Sequence, residues 1–159
     1  MKNISTVDLV KKYIPIAIGV IIVLVIVLLS IFPPNGRLVC EAKSAPGDMS
    51  ASYTYIADYS MWRVQKLVVT ENVHSNNEND LIIYRQSLEE NLERFKDLKY
   101  YDSQLTMTQD NLTNVVTIDF KNIDRKKLQE LESGFSNRLT SIRQLKKLYI
   151  KNGATCRNE

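Results

Sequence analysis

An uncharged run from Tyr13 to Phe32 constrains this chain more than any other feature of its sequence. It reads YIPIAIGVIIVLVIVLLSIF, which is 20 residues without Asp, Glu, Lys or Arg. A helix rises about 1.5 Å per residue, so this run spans about 30 Å, the thickness of the hydrocarbon layer of a bilayer. We therefore predict a transmembrane helix over residues 13–32, with the lipid bilayer as its partner and Pro33-Pro34 at its end.

The charges that flank the run orient the predicted helix. Lysines precede it at Lys2, Lys11 and Lys12, whereas only Arg37 follows it closely. Because cations are retained on the cytoplasmic side, we expect the N-terminus in the cytoplasm. The predicted organisation is a cytoplasmic N-terminus over 1–12, the helix over 13–32, a linker over 33–37 and an extracytoplasmic domain over 38–159.

Two kinds of cleaved signal are the alternatives to a retained anchor. The run is longer than the apolar core of a secretory signal, which has about 7 to 15 residues, and no small-residue cleavage site follows it promptly. A lipoprotein signal requires a small residue directly before the modified cysteine, and Cys40 follows Val39. The sequence therefore favours a single-pass protein of the cell membrane.

The chain has two cysteines, Cys40 and Cys156, one near each end of the predicted outer domain. Oxidising conditions outside the cytoplasm allow a disulfide to persist, and two thiols allow one intrachain pairing. Two buried free thiols or an intermolecular bridge are the alternatives. A catalytic cysteine is disfavoured because His74, the one histidine, lies in the polar stretch ENVHSNNEND.

Hydrophobic periodicity predicts an α+β fold for the outer domain. Alternation at period two predicts strands, and apolar residues at three-to-four spacing predict helices. The predicted strands are Leu38–Lys43, Ser50–Ile56, Met61–Thr70, Tyr101–Gln109, Leu112–Phe120 and Ala154–Cys156. The predicted helices run from Leu81 to about Asp97, from Asn122 or Asp124 to about Glu132, and from Asn137 or Ser141 to Lys151. We predict one antiparallel sheet, made of two hairpins plus short edge strands, with helices packed on one face.

The first predicted hairpin depends on where its turn lies. A turn over residues 57–60 would let the second strand begin at Met61. Alternation from that point predicts that Trp62, Val64 and Val68 line one face of the strand. The other face of this hairpin would then be solvated.

The second predicted hairpin is specified by its loop. A two-residue Asp110-Asn111 turn is predicted because Asn tolerates the left-handed conformation that such turns require. This loop length predicts that Leu105 faces Val116 and that Tyr101 faces Phe120, all on one face.

The sequence contains no signature of catalysis or of a cofactor. It has no paired nucleophile and base, no Gly-rich phosphate loop and no Cys/His metal spacing. Four carboxylates crowd two helical turns but alternate with cations, which favours a solvated helix face over a metal site; they are Glu89, Glu90, Glu93 and Asp97. We therefore predict a protein that is not an enzyme and binds no cofactor or metal.

Two groups of residues are candidates for a contact surface. Tyr53, Tyr55 and Trp62 offer aromatic rings for stacking, with core packing as the alternative. The segment Arg125 to Lys151 carries 8 cations against 2 anions. Its candidate contact residues are Arg138, Arg143, Lys146, Lys147 and Lys151. These cations are suited to anionic envelope polymers or lipid headgroups. The alternative is a helix face that only keeps the domain soluble. Nucleic acid is not an expected partner, because the predicted domain lies outside the cytoplasm.

Several segments of the chain carry a resemblance to a known family. They are SYTYIADYSMWRVQKLVVTENV, LIIYRQSLEENLERFKDLKYY, LTMTQDNLTNVVTIDF and NIDRKKLQELE, together with the closing helix before Asn152-Gly153. In this order they resemble the small YehR-like lipoproteins, which are bacterial envelope proteins of unknown function. The resemblance implies an extracytoplasmic α+β domain whose sheet carries helices. This chain departs from the family because it lacks a lipidation box at Cys40 and has a second cysteine near its end.

These observations lead us to expect a membrane-anchored extracytoplasmic domain of the bacterial cell envelope that acts as a non-enzymatic binding or scaffolding module. Anionic envelope polymers or another membrane protein are its expected partners. Two alternatives stay open. A ligand-sensing subunit would need a membrane partner for signalling, because the N-terminal segment is too short for an output domain. An envelope-acting enzyme would have to recruit carboxylates such as Asp102 and Asp119.

Overall fold

The structure is a computed structural model that describes residues 21–24, 35–45, 48–131 and 141–159. The chain divides into two compact units, Met1–Pro34 and Asn35–Glu159. In the first unit, residues 21–24 are helical and exposed. The rest of the predicted helix over 13–32 and the predicted cytoplasmic N-terminus lie outside the described residues. No helix within the described ranges is both long enough and apolar enough to span a bilayer.

The second unit is built on a six-stranded antiparallel sheet. Its strands are β1 (Asn35–Ser44), β2 (Ser50–Ser60), β3 (Arg63–His74), β4 (Tyr101–Met107), β5 (Asn111–Asp119) and β6 (Thr155–Asn158). They lie in the order β4-β5-β3-β2-β1-β6. The described helices of this unit are α1 (Glu78–Glu93), α2 (Arg125–Leu131) and α3 (Ile142–Lys151). The predicted α+β class is confirmed, although β1 has 10 residues and lies inside the sheet rather than at its edge.

One face of the sheet, here called the covered face, carries the hydrophobic core. It comprises every second residue of each strand, and its most buried members include Leu38, Val64 and Val73. Leu81 from α1 packs over one end of this face, and Leu128 and Leu145 from the other two helices pack over the other end. All three helices therefore cover the same side, as the sequence predicts, and the opposite side is called the open face.

Side chains fix where α1 and α2 begin. The Oδ1 atom of Asn77 accepts a hydrogen bond from the backbone N–H of Asn79 at 3.1 Å, which caps α1. The Oδ1 atom of Asp124 accepts hydrogen bonds from the backbone N–H groups of Lys126 and Lys127 at 3.0 and 3.2 Å. Both helices therefore begin where the sequence offers capping residues.

The predicted turn over residues 57–60 is wrong. β2 continues to Ser60 because Ala57 is buried in the core at 1% exposure. The chain turns instead at Met61 and Trp62, whose φ angles are 49° and 65°. Two central residues with positive φ match the right-handed twist of a hairpin, as in a type I′ turn. Such conformations cost residues other than glycine about 1 to 2 kcal/mol each.

A bulge near this turn explains a second difference. The β2–β3 register shifts at the end of β2, where Gln65 is the extra residue of β3. One extra residue moves the side chains beyond it to the opposite face. Val64 is therefore buried on the covered face, Val68 lies on the open face and Trp62 lies in the turn. The prediction that these three residues line one face is wrong.

The β4–β5 hairpin exists as predicted, but its register differs. Its turn closes one residue earlier, because the backbone N–H and the hydroxyl of Thr108 both donate to the carbonyl oxygen of Asn111 at 2.7 and 3.2 Å. Leu105 therefore faces Asn114. The displacement is an even number of residues, so each side chain still lies on its predicted face. The predicted pairs that are wrong are Leu105–Val116 and Tyr101–Phe120.

A disulfide joins Cys40 to Cys156 and closes one side of the sheet. The two residues lie directly opposite each other in the β1–β6 pairing, and Cys40 is fully buried. The predicted intrachain bridge between the two cysteines is therefore confirmed. Because β6 is only four residues long, this covalent link adds to a short hydrogen-bonded ladder.

We predict that the Cys40→Ala, Cys156→Ala double variant has a lower free energy of unfolding than the parent chain. The bridge joins residues 116 apart in sequence. In the chain-entropy model, opening a loop of this size costs up to about 5 kcal/mol. Urea denaturation followed by circular dichroism measures the difference, and the parent chain in reducing buffer is the control. Equal stability of the parent and the double variant would contradict the prediction.

Candidate functional site

The three aromatic residues predicted to form one contact surface lie in two different places in the fold. Tyr53 and Tyr55 lie half-buried on the covered face of β2, with their ring centroids 6.3 Å apart and nearly parallel. Tyr55 also stacks on Tyr149 of α3 at 4.1 Å. These two residues therefore pack between the sheet and a helix, and they do not share an open platform with Trp62.

Next to Tyr53, the covered face carries a polar group that periodicity did not reveal. Glu71 is only 7% exposed and lies between Tyr53 and Asn114 in the sheet. Its Oε1 atom accepts a hydrogen bond of 2.6 Å from the hydroxyl of Tyr84 in α1. The side-chain amide of Asn114 lies 3.4 Å from the other carboxylate oxygen. A buried carboxylate is thus held by neutral donors, which ties α1 to the centre of the sheet.

Burial changes the ionisation of the tyrosines around this group. Burial raises the pKa of Tyr84 above the usual value, and its hydrogen bond to Glu71 raises the pKa further. Burial and the neighbouring Glu71 carboxylate likewise raise the pKa of Tyr53. The pKa of Tyr149 is raised mainly by burial and also by the nearby Tyr55. The packing between the sheet and the helices therefore favours neutral phenols.

Trp62 lies apart from these tyrosines, in the β2–β3 turn, with 53% of its surface exposed. The guanidinium of Arg143 lies 5.6 Å from the centroid of its ring, which is a cation–π distance. The backbone N–H of Ile142 donates to the carbonyl oxygen of Trp62 at 3.0 Å. The turn and the first residues of α3 therefore form one structural unit.

The predicted basic residues on α3 form a stripe along its surface. Arg143, Lys147 and Lys151 are spaced four residues apart and are exposed, and Lys146 beside them is half-buried. None of them has an ion-pair partner among the described residues. Arg138 lies outside the described residues. Contact of this stripe with an anionic partner stays a prediction.

A groove of about 550 Å³ lies between α1 and β4. Its lining residues are Glu89, Leu92, Glu93, Phe95, Lys96, Tyr101, Asp102, Ser103 and Leu105. The rings of Phe95 and Tyr101 stack at 4.7 Å and close one end. The groove therefore combines an apolar floor with charged rims.

The strand along this groove forms an edge of the sheet. Among the described residues, β4 pairs with β5 alone. The backbone groups of Thr108 point towards β5, and alternation along an antiparallel strand therefore turns those of Ser103, Leu105 and Met107 outward. Three N–H groups and three carbonyl groups thus face away from β5, and those of Ser103 and Leu105 lie beside the groove.

The rims of the groove carry more negative than positive charge. Glu89 forms an ion pair with Arg85, and Glu93 forms one with Lys96. Asp102 has no ion-pair partner among the described residues. The lining residues include three carboxylates and one ammonium group, and the side chain of Asp102 lies on the open face at the edge of β4. The groove is therefore suited to a cationic ligand.

Asp119, one of the carboxylates that an enzyme would recruit, takes part in hydrogen bonds within its own turn. Asp119 accepts hydrogen bonds from the side-chain amide of Asn122 at 2.7 Å and from the backbone N–H of Lys121 at 2.9 Å. The bond from Asn122 is the main cause that lowers the pKa of Asp119. Within the described ranges, no group of three His, Cys, Asp or Glu side chains is placed to hold a metal ion. Asp119 therefore helps to shape the turn that follows β5.

We predict that the protein loses stability as the pH rises above about 10, and that the Tyr149→Phe variant loses less. The pKa of a phenol is about 10 in the unfolded chain, and burial makes it higher in the folded state. Such a phenol contributes its full stabilisation below about pH 10. The stabilisation is lost as the pH rises from about 10 towards the folded-state pKa. The folded-state pKa of Tyr149 is raised in this way. Urea midpoints between pH 8 and pH 11 measure the effect. Tyr100→Phe, which removes an exposed hydroxyl, is the matched control. Equal losses in the parent and Tyr149→Phe would contradict the prediction.

Comparison with known proteins shows similarity in fold. No protein-family model matches the chain, and no curated protein sequence matches it significantly. The NMR structure of a protein from Streptococcus pneumoniae TIGR4 is similar with a TM-score of 0.54 and 16% identity, over 79% of this chain and 85% of that one. The NMR structure of the Escherichia coli YehR protein is similar with a TM-score of 0.54 and 20% identity, over 74% of this chain and 88% of that one. The chain therefore has a YehR-like fold.

Proposed function

We propose that this chain is a single-pass, membrane-anchored protein of the bacterial cell envelope whose outer domain is a non-enzymatic binding module. The anchor is the apolar run over residues 13–32, and the binding site is the groove between α1 and β4. The observation that carries the proposal is the edge of β4, whose outward backbone donors and acceptors lie beside a groove with apolar and charged lining. An extended polypeptide can bind such an edge as an additional strand.

The geometry of the groove suits strand addition. The outward backbone groups of Ser103, Leu105 and Met107 repeat every second residue, which is the spacing that an added strand requires. Leu92 and Phe95 lie on the side of α1 and offer apolar contacts to alternate side chains of the bound segment. Backbone hydrogen bonds would supply affinity and the apolar contacts would supply specificity.

The charge of the groove selects the partner. Glu89 lines the groove on the α1 side, so a cation on a bound segment would face it. The side chain of Asp102 lies on the open face of the edge strand, where it would face a cation on the other side of an added strand. A basic, extended segment of another envelope or membrane protein therefore fits this site better than an anionic polymer does. The basic stripe of α3, here Arg143, Lys147 and Lys151, lies on a different element and stays free for a second contact.

We predict that the chain remains in the membrane fraction after an alkaline wash and that its outer domain is accessible from outside the cell. The apolar run supplies the hydrophobic anchor, and the lysines before it retain the N-terminus inside. Protease treatment of spheroplasts should remove the region after Arg37 and leave an N-terminal tag intact. A protected outer domain with a digested tag would contradict the proposed orientation.

We predict that a seven-residue peptide of alternating Lys and Val binds the groove and that the matching Glu and Val peptide does not. Strand addition would place the peptide against the outward amides of Ser103, Leu105 and Met107. These amides should then show the largest chemical-shift changes in heteronuclear NMR spectra of the protein in detergent micelles. Largest changes on the open face, or none with the Lys peptide, would contradict the proposed site.

Two substitutions separate backbone pairing from charge in the same titration. Ser103→Pro removes one outward N–H without removing a hydrogen bond of the β4–β5 ladder, so it should weaken binding of the Lys peptide about fivefold or more. Glu89→Lys should also weaken binding, because it reverses a charge on the rim. Glu90→Lys is the matched control, since Glu90 is exposed on the same helix but does not line the groove. Equal effects of the two Lys substitutions would contradict the electrostatic part of the proposal.

A further inference from the structure

The β2–β3 turn lies at the end of the sheet where the chain enters the second unit. Asn35 begins β1 and pairs with Ser60, the last residue of β2. Met61 and Trp62 follow Ser60 directly. The turn is therefore adjacent to the first strand residue after the apolar run.

The surface of this turn is apolar and cationic. Met61 and Trp62 are 56% and 53% exposed, so these two consecutive residues form an exposed apolar patch at the tip of the hairpin. Arg143 lies over the indole ring of Trp62, and Arg63 is the residue that follows Trp62 in the chain. Neither arginine has an ion-pair partner among the described residues. Asp58 is the nearest carboxylate on β2, and it is paired with another cation at 2.7 Å.

We propose that the Met61–Trp62 turn inserts into the headgroup region of an anionic bilayer, with Arg63 and Arg143 on the lipid phosphates. The inference rests on the proposed membrane anchor. Only Pro33 and Pro34 separate the apolar run from Asn35. Three steps of 3.8 Å along the chain reach about 11 Å, so the anchor would deliver this turn to the membrane surface.

The chemistry of the turn matches a lipid interface. An indole ring has a large apolar body and one N–H donor, and tryptophan is enriched where hydrocarbon meets the headgroups. Arginine binds phosphate through several N–H groups at once. Trp62 and Arg143 are already held together, so the pair would enter the interface without further ordering. A lipid surface thus satisfies the apolar and the cationic parts of this patch together.

Trp62 is the one tryptophan of the chain, so its fluorescence reports directly on this contact. The full chain is reconstituted into vesicles of phosphatidylcholine with phosphatidylglycerol, and a spin label is attached near the headgroup of a fraction of the lipids. We expect emission at shorter wavelength than in detergent, strong quenching by the shallow spin label and weak quenching by aqueous acrylamide. Emission that acrylamide quenches freely and the spin label does not would overturn the inference.

A second tryptophan position provides the matched control. In the Trp62→Phe, His74→Trp variant the reporter lies at the opposite end of β3, a strand of 12 residues. At about 3.3 Å per residue this is about 36 Å from the turn, and the shallow spin label should not quench it. Equal quenching at both positions would show non-specific contact with lipid and overturn the inference.

Charge and anchoring are tested in the same vesicles. Arg63→Glu with Arg143→Glu should reduce quenching of Trp62 several-fold, whereas Lys147→Glu with Lys151→Glu should leave it unchanged. Equal quenching in vesicles of phosphatidylcholine alone would overturn the role of the two arginines. Flotation on a density gradient separates the two proposals. A chain that floats but whose Trp62 is not quenched is anchored without insertion of the turn, which overturns this inference alone. A chain that does not float refutes the anchor and this inference together.

Discussion

Leu38, Ala57 and Leu67 lie side by side in neighbouring strands, and none of them is more than 7% exposed. Each large aliphatic side chain buried in this way contributes about 1.5 to 3 kcal/mol. The same face extends across the sheet and receives all three described helices. Because the described helices lie on one side, no described helix covers the other side of the sheet.

Much of the fold can be predicted from patterns in the sequence. Alternation and capping residues predict the strands and the helix starts, and the two cysteines, Cys40 and Cys156, predict their bridge. The errors occur where one residue decides the geometry. Gln65 forms a bulge that strand propensity does not predict. Thr108 closes a hairpin by donating a hydrogen bond to the carbonyl oxygen of Asn111. Such local hydrogen bonds override the register that loop length alone suggests.

The candidate groove shows the limit of sequence reasoning more clearly. Glu89 and Ser103 are ordinary surface residues in the sequence, and they become neighbours only because α1 lies beside the edge strand β4. Glu71 is different, since it interrupts the apolar alternation of Leu67, Val69 and Val73 on β3. That interruption is a signal of a buried polar contact. Strand order could not be predicted in the same way, because it depends on pairing between distant segments.

The two edges of the sheet differ in a way that bears on function. β6 is four residues long and is joined to β1 by the disulfide, and short edge strands are poor templates for further pairing. β4 has seven residues, and the groove lies along its first five. A protein protected against uncontrolled strand pairing would cover or interrupt such an edge. Under the proposed function, the carboxylates of Glu89 and Asp102 would restrict access instead, because they would favour a cationic strand over an anionic one.

The β2–β3 turn breaks a local rule of a different kind. Asn-Gly would fit two positive φ angles without strain, yet Met61 and Trp62 occupy these positions with their side chains largely exposed. Neither side chain offsets the cost of this conformation through burial within the described domain. Local rules tend to be broken where a surface serves a contact rather than the fold. The two proposed contacts therefore give the strain at this turn and the edge of β4 a common explanation, since each leaves exposed a group that no described residue buries.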